Sequence, residues 1–73
     1  MLDIVERDKL EKIFTYHSPK GDQSERYVVI RNTAKAFAML VIDKCPTSRE
    51  RSLAITKLEE CVMWANASIA RNE

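Results

Sequence analysis

One glycine and two prolines in 73 residues constrain this chain more than any other feature of its sequence. Tight turns draw on these residues for left-handed or fixed backbone angles, so a sheet of several hairpins has too few places to reverse. A few long helices remain. The three residues also cluster: Pro19 and Gly21 fall between Thr15 and Gly21, and Pro46 falls between Lys44 and Thr47. The reading is all-α, with a short N-terminal helix over about 2–14 followed by a long antiparallel helical hairpin. The hairpin's arms lie at about 22–43 and 48–71, in a single domain over 1–73.

Start signals support both arms. Asp22-Gln-Ser-Glu25 and Thr47-Ser-Arg-Glu50 each place a capping oxygen three residues before an acid that can reach back to it. In the first arm Tyr27, Ile30, Ala34, Phe37 and Val41 form a stripe at 3,4,3,4 spacing. Ile55, Leu58, Val62, Ala65 and Ile69 answer it in the second. The intervening turn is short enough to force the arms antiparallel. In the N-terminal segment Leu10, Ile13 and Phe14 lie on adjacent turns, which suggests a helix resting on the hairpin. Two stripes do not use up the apolar residues. Val28, Val29, Met39, Leu40 and Ile42 surround the first arm, and Met63 and Trp64 lie off the stripe of the second. Such a surplus is most simply buried against another copy of the chain, so a homo-oligomer is expected.

Twelve Lys plus Arg against eleven Asp plus Glu, with the signs interspersed, give no basic field of the kind a duplex nucleic-acid binder presents. The longest apolar run, Ala36 to Ile42, is far short of the roughly 20 residues of a membrane span. The charged N-terminus, MLDIVERDKL, does not read as an export signal, and a cytosolic chain is expected. Cys45 and Cys61 lack metal-ligand spacing and His17 is the lone histidine, so neither a metal nor any other cofactor is expected. The two thiols read as half-buried small residues.

Catalytic constellations are missing as well. His17 has no carboxylate at helical spacing, Glu59 and Glu60 point to different azimuths of one helix, and neither a nucleophile elbow nor a phosphate-binding loop is present. Asn66-Ala67-Ser68 matches a glycosylation acceptor formally, but it sits mid-helix in a chain read as cytosolic. The loop from Phe14 to Gln23 is different. It gathers two aromatics, His17, Lys20 and Gly21 just ahead of a helix start, which suits the stacking of a flat ring and the holding of an anion. The alternative is that Phe14 and Tyr16 anchor the first helix to the hairpin. Arg31 follows an apolar stretch and needs an anionic partner, either a ligand or a carboxylate of the same chain.

The stretches FTYHSPKGDQSERY, YVVIRNTA, KCPTSRE and RSLAITKLEECVMWANASIARNE together resemble the phage anti-CBASS proteins that sequester cyclic oligonucleotide signals and share a hairpin domain with the anti-Thoeris sponges. The resemblance covers roughly the last 60 residues and leaves the first 13 outside. It implies a non-enzymatic phage protein, acting in the cytoplasm of the infected bacterial host, that withholds cyclic messengers from defence effectors. It also implies a homohexamer that binds cyclic dinucleotides between paired protomers and cyclic trinucleotides at separate threefold pockets. Carried onto this chain, the dinucleotide positions are Tyr16 for a base, Arg31 for a phosphate and Lys20 in the loop. The trinucleotide positions are Thr33 and Arg71. Arginine at position 31 stands where the family also uses lysine.

Symmetry agrees with that assignment. A twofold pair offers Tyr16 and Arg31 twice to a ligand with two bases and two phosphates, and three copies of Arg71 match three phosphates. Two rival readings are an oligomeric interaction hairpin indifferent to nucleotides and a small chorismate-mutase-like helical enzyme. The second lacks a Gln or Glu that pairs with Arg31.

Overall fold

The computed structural model describes Met1 and residues 3–73. The described residues form three helices, α1 (Ile4–Phe14), α2 (Gln23–Lys44) and α3 (Arg49–Asn72), and no strand. The expected boundaries are met to within two residues, with Leu2 outside the described residues. Asp3 starts α1, its carboxylate accepting from Glu6 N–H at 2.7 Å. Asp3 stands three residues before Glu6, the spacing of such a cap.

Each of the two hairpin caps departs from expectation. Asp22 precedes α2 but makes no capping bond; its carboxylate lies 3.2 Å from Arg26 Nε one turn on. Gln23 closes the turn instead: its N–H donates to Lys20 C=O and its Oε1 accepts from Lys20 N–H, both at 2.9 Å. Gly21, at φ +53°, supplies the left-handed residue that lets the loop enter α2. At α3 the cap is Ser48, one residue after Thr47, with Oγ accepting from Arg51 N–H at 3.1 Å and donating to Pro46 C=O at 3.1 Å. Arg51 then reaches back, donating to the carbonyls of Ile42 and Cys45 at 3.2 Å each, which satisfies the exposed end of α2.

α2 and α3 pack against each other along the two stripes. Tyr27, Ile30, Ala34 and Val41 meet Ile55, Leu58, Val62, Ala65 and Ile69, all half-buried. Phe37 departs from the expected stripe. The inward position on that turn belongs to half-buried Ala38, and Phe37 is 54% exposed. The first helix also departs from expectation, because α1 does not lie on the hairpin. All of its described residues are exposed, and its described tie is a hydrogen bond from Lys12 Nζ to Asn72 Oδ1 at 3.3 Å.

The consequence is a slab of 50 × 33 × 13 Å, about one helix diameter thick. A single layer encloses nothing, and no apolar side chain among the described residues is buried. The radius of gyration, 16.4 Å, compares with about 11 Å for a compact domain of this length. The exposed area, 6172 Å², compares with roughly 4,600 Å² for a compact monomer of this size. Val28, Val29, Met39, Leu40, Ile42, Met63 and Trp64 are all exposed, as the patterning implies. Both thiols are exposed as well, against the expectation of half-burial, because a slab this thin covers neither.

At one end of the slab polar bonds do what packing does not. Gln23 is the one buried polar side chain among the described residues, and its Nε2 donates to Glu73 Oε1 at 3.2 Å. Arg26 grips the same carboxylate with both terminal nitrogens, Nη1 to Oε2 at 2.9 Å and Nη2 to Oε1. The bidentate grip holds the Glu73 carboxyl well below the usual carboxylate range, at about 2, with the Gln23 bond adding to the effect, and raises the Arg26 guanidinium further.

Two predictions follow from these bonds. Ser48→Ala should lower stability in urea unfolding by about 1 kcal/mol, whereas Thr47→Ala should leave it within about 0.5 kcal/mol; the reverse order would restore Thr47 as the cap. Because folding depresses the Glu73 pKa, its stabilisation is full above the ordinary carboxylate range and is lost as pH falls toward 2. The melting temperature of wild type should therefore exceed that of Glu73→Gln at pH 6, and the gap should close between about pH 5 and pH 2. A gap that stays constant with pH would contradict the clamp.

Candidate functional site

The loop after α1, the first turns of α2 and the last turns of α3 meet at the clamped end and surround an open cavity of about 540 Å³. Small-molecule sites span roughly 300–1,000 Å³. Ile13, Thr15, Tyr16 and His17 line it from the first helix and loop, Tyr27 and Arg31 from α2, and Asn66, Ala67, Ala70 and Arg71 from α3. Residues 66, 67, 70 and 71 are at i, i+1, i+4 and i+5, which puts them on one face of α3. Two alanines in that face leave room where larger side chains would fill it.

No carboxylate lines this cavity. Arg31 and Arg71 both border it, and neither has an ion-pair partner among the described residues. The intramolecular alternative for Arg31 is thus not realised, and two guanidinium groups from different helices border the cavity without an ion-pair partner. An arrangement of this kind recruits an anion, and planar guanidinium forks match phosphate oxygens. The clamp bears on it directly: Arg71 is flanked by Asn72, bonded to Lys12, and by Glu73, bonded to Gln23 and Arg26.

Tyr16 brings the aromatic face. Tyr16 is 83% exposed and Phe14 80% exposed, so neither anchors α1 to the hairpin. His17 is half-buried, with Nε2 2.9 Å from Lys12 C=O. A carbonyl only accepts, so Nε2 carries the proton and Nδ1 is left for another partner. An exposed ring beside two unpaired arginines suits a ligand with a flat heterocycle and phosphates.

Of the five positions singled out in the sequence, the structure brings Tyr16, Arg31 and Arg71 together. Lys20 stands outside the cavity and contributes its backbone N–H to the Gln23 turn. Thr33 lines a different, apolar groove with Ile30, Phe37, Cys61, Val62 and Ala65. Within one chain, therefore, Thr33 and Arg71 do not share a cavity. Sequence reasoning missed Tyr27, which it placed in the stripe, and Asn66, noted only within a glycosylation pattern.

Among the described residues no group of His, Cys, Asp and Glu is placed to hold a metal, and no helix is long and apolar enough to cross a membrane. No match to the chain is found among curated proteins or solved structures. A family model, the Acb2/Tad1 hairpin domain, matches residues 6–70. The match takes in most of α1, which the resemblance in the sequence had left outside, and stops one residue before Arg71. Spanning most of the sequence and the whole helical hairpin up to that point, it assigns the chain to the Acb2/Tad1 hairpin family, the anti-CBASS/anti-Thoeris sponges.

Proposed function

We propose that this protein is a non-enzymatic phage sponge that binds cyclic oligonucleotide messengers in the cytoplasm of the infected host and so keeps CBASS effectors silent. The observation that carries the reading is the pair of unpaired arginines, Arg31 and Arg71, beside the exposed Tyr16 in a cavity free of carboxylates. Tyr16 stacks on a base whose phosphate Arg31 takes, and Arg71 takes the phosphate of a ligand bound across other copies of the chain. His17 borders the same cavity but no carboxylate there backs it as a base, and on this reading the ligand leaves as it entered.

The working unit is a homo-oligomer, a hexamer by the family resemblance. The thin slab, its excess exposed area and the apolar groove of Ile30, Phe37 and Val62 all support a second copy as its cover. Paired protomers then present Tyr16, Arg31 and the loop's Lys20 twice to a cyclic dinucleotide. Threefold contacts present Thr33 and Arg71 to a cyclic trinucleotide, with residues that are apart in one chain meeting across copies.

Light scattering at micromolar concentration should give the mass of a homo-oligomer; a monomer would contradict the assembly. Nucleotide recovered after denaturing the complex should be unaltered, and linearised product would overturn the sponge reading. Tyr16→Ala removes a stack worth about 1–3 kcal/mol per base and should weaken cyclic dinucleotides strongly while sparing trinucleotides. Arg71→Ala removes a charge-assisted bond worth about 1.5–3 kcal/mol in each copy and should do the reverse. Equal loss of both ligand classes in both variants, with the oligomer intact, would replace two pockets by the one cavity that Tyr16, Arg31 and Arg71 line together.

A further inference from the structure

The last four carbonyls of a helix have no partner within it, so its final turn frays unless something else holds it. In α3 that turn is held from two sides. Asn72 Nδ2 donates to Ser68 C=O at 2.9 Å, and Asn72 Oδ1 accepts from Lys12 Nζ of α1 at 3.3 Å. Glu73 accepts from Gln23 Nε2 at 3.2 Å and from both terminal nitrogens of Arg26, which ties the same turn to α2. Arg71, immediately before them, is half-buried and borders the cavity, with no ion-pair partner of its own among the described residues. The family match stops at residue 70, so Asn72 and Glu73 lie beyond it.

Charge alone does not account for a carboxylate at this place. Glu73 stands two residues from an arginine that borders the cavity, and a bare negative charge there opposes an anion. The bidentate grip of Arg26, which does not itself line the cavity, offsets that charge. What these bonds add to the site is a fixed backbone under Arg71. A long side chain that must be ordered on binding lowers affinity. With its turn held by α1 and α2, Arg71 has less freedom to lose when a phosphate arrives, and in a site built from three copies the effect enters three times.

We infer that Asn72 and Glu73 are positioning residues: tied to Lys12, Gln23 and Arg26, they hold the last turn of α3 so that Arg71 is presented to the phosphate of a cyclic trinucleotide. The inference rests on the proposed function, in which Arg71 is the trinucleotide contact.

The test titrates wild type, Glu73→Ala and Asn72→Ala with the tightest-binding cyclic dinucleotide and cyclic trinucleotide from a panel spanning the four bases. Glu73→Ala removes a negative charge, so electrostatics alone would tighten both ligands. The inference gives the opposite sign, with trinucleotide binding about tenfold weaker. The dinucleotide should stay within about twofold of wild type, because the bonds from Gln23 that close the Tyr16 loop on Lys20 are untouched. Asn72→Ala changes no charge and should shift the trinucleotide in the same direction, and both variants should keep the oligomeric mass of wild type. Trinucleotide affinity unchanged or tighter in Glu73→Ala, or in Asn72→Ala if the first variant does not fold, would overturn the inference and leave these bonds to the fold alone. Equal weakening of both ligand classes, or a changed mass, would overturn it too, tracing the effect to assembly. Wild type that binds nothing in the panel contradicts the proposed function instead.

Discussion

A helical layer 13 Å thick has no interior, and everything else about this protein follows from that geometry. The hydrophobic effect acts through area removed from water, yet here the two stripes of the hairpin are only half-covered and no apolar side chain is fully buried among the described residues. Small chains commonly compensate with disulfides, metal or association. Both thiols are unpaired, and the exposed Val29, Met39, Met63 and Trp64 are the surface that the proposed association would cover.

Where packing is thin, directional bonds decide the local structure. Gln23 is buried because it is used three times: as a turn closure with the Lys20 carbonyl, as acceptor for the Lys20 N–H and as donor to Glu73. Arg26 and Glu73 then fasten the last turn of α3 to the first of α2, and Lys12 joins α1 to Asn72. All three helices are thereby gathered at one end, with Tyr16, Arg31 and Arg71 around a single opening. Preorganised cations lose less entropy when an anion arrives, so on the proposed reading the clamp serves the site as well as the fold.

The helices and the turn were legible because they depend on local chemistry: the placement of Pro19, Gly21 and Pro46 and the 3,4 spacing of the stripes. The shift from Thr47 to Ser48 is a choice between adjacent hydroxyls that pattern does not resolve. Phe37 was misplaced because a stripe has width, and Ala38 fits the close approach of α3 where a ring does not. The position of α1 was illegible for a different reason: it hangs on a polar contact between Lys12 and Asn72, 60 residues apart, that no periodicity announces. In the site, Tyr16, Arg31 and Arg71 were reached through resemblance and residue chemistry. Asn66 was hidden by its own polarity, since a mid-helix amide carries no signal until its surroundings are known.

The central claim is that each chain supplies part of a site for a cyclic oligonucleotide, and the stoichiometry of binding tests it most directly. Isothermal titration of wild type with a cyclic dinucleotide should saturate at one ligand for each pair of chains. Absence of binding across a panel of cyclic di- and trinucleotides, or saturation at one dinucleotide per chain, would contradict the account.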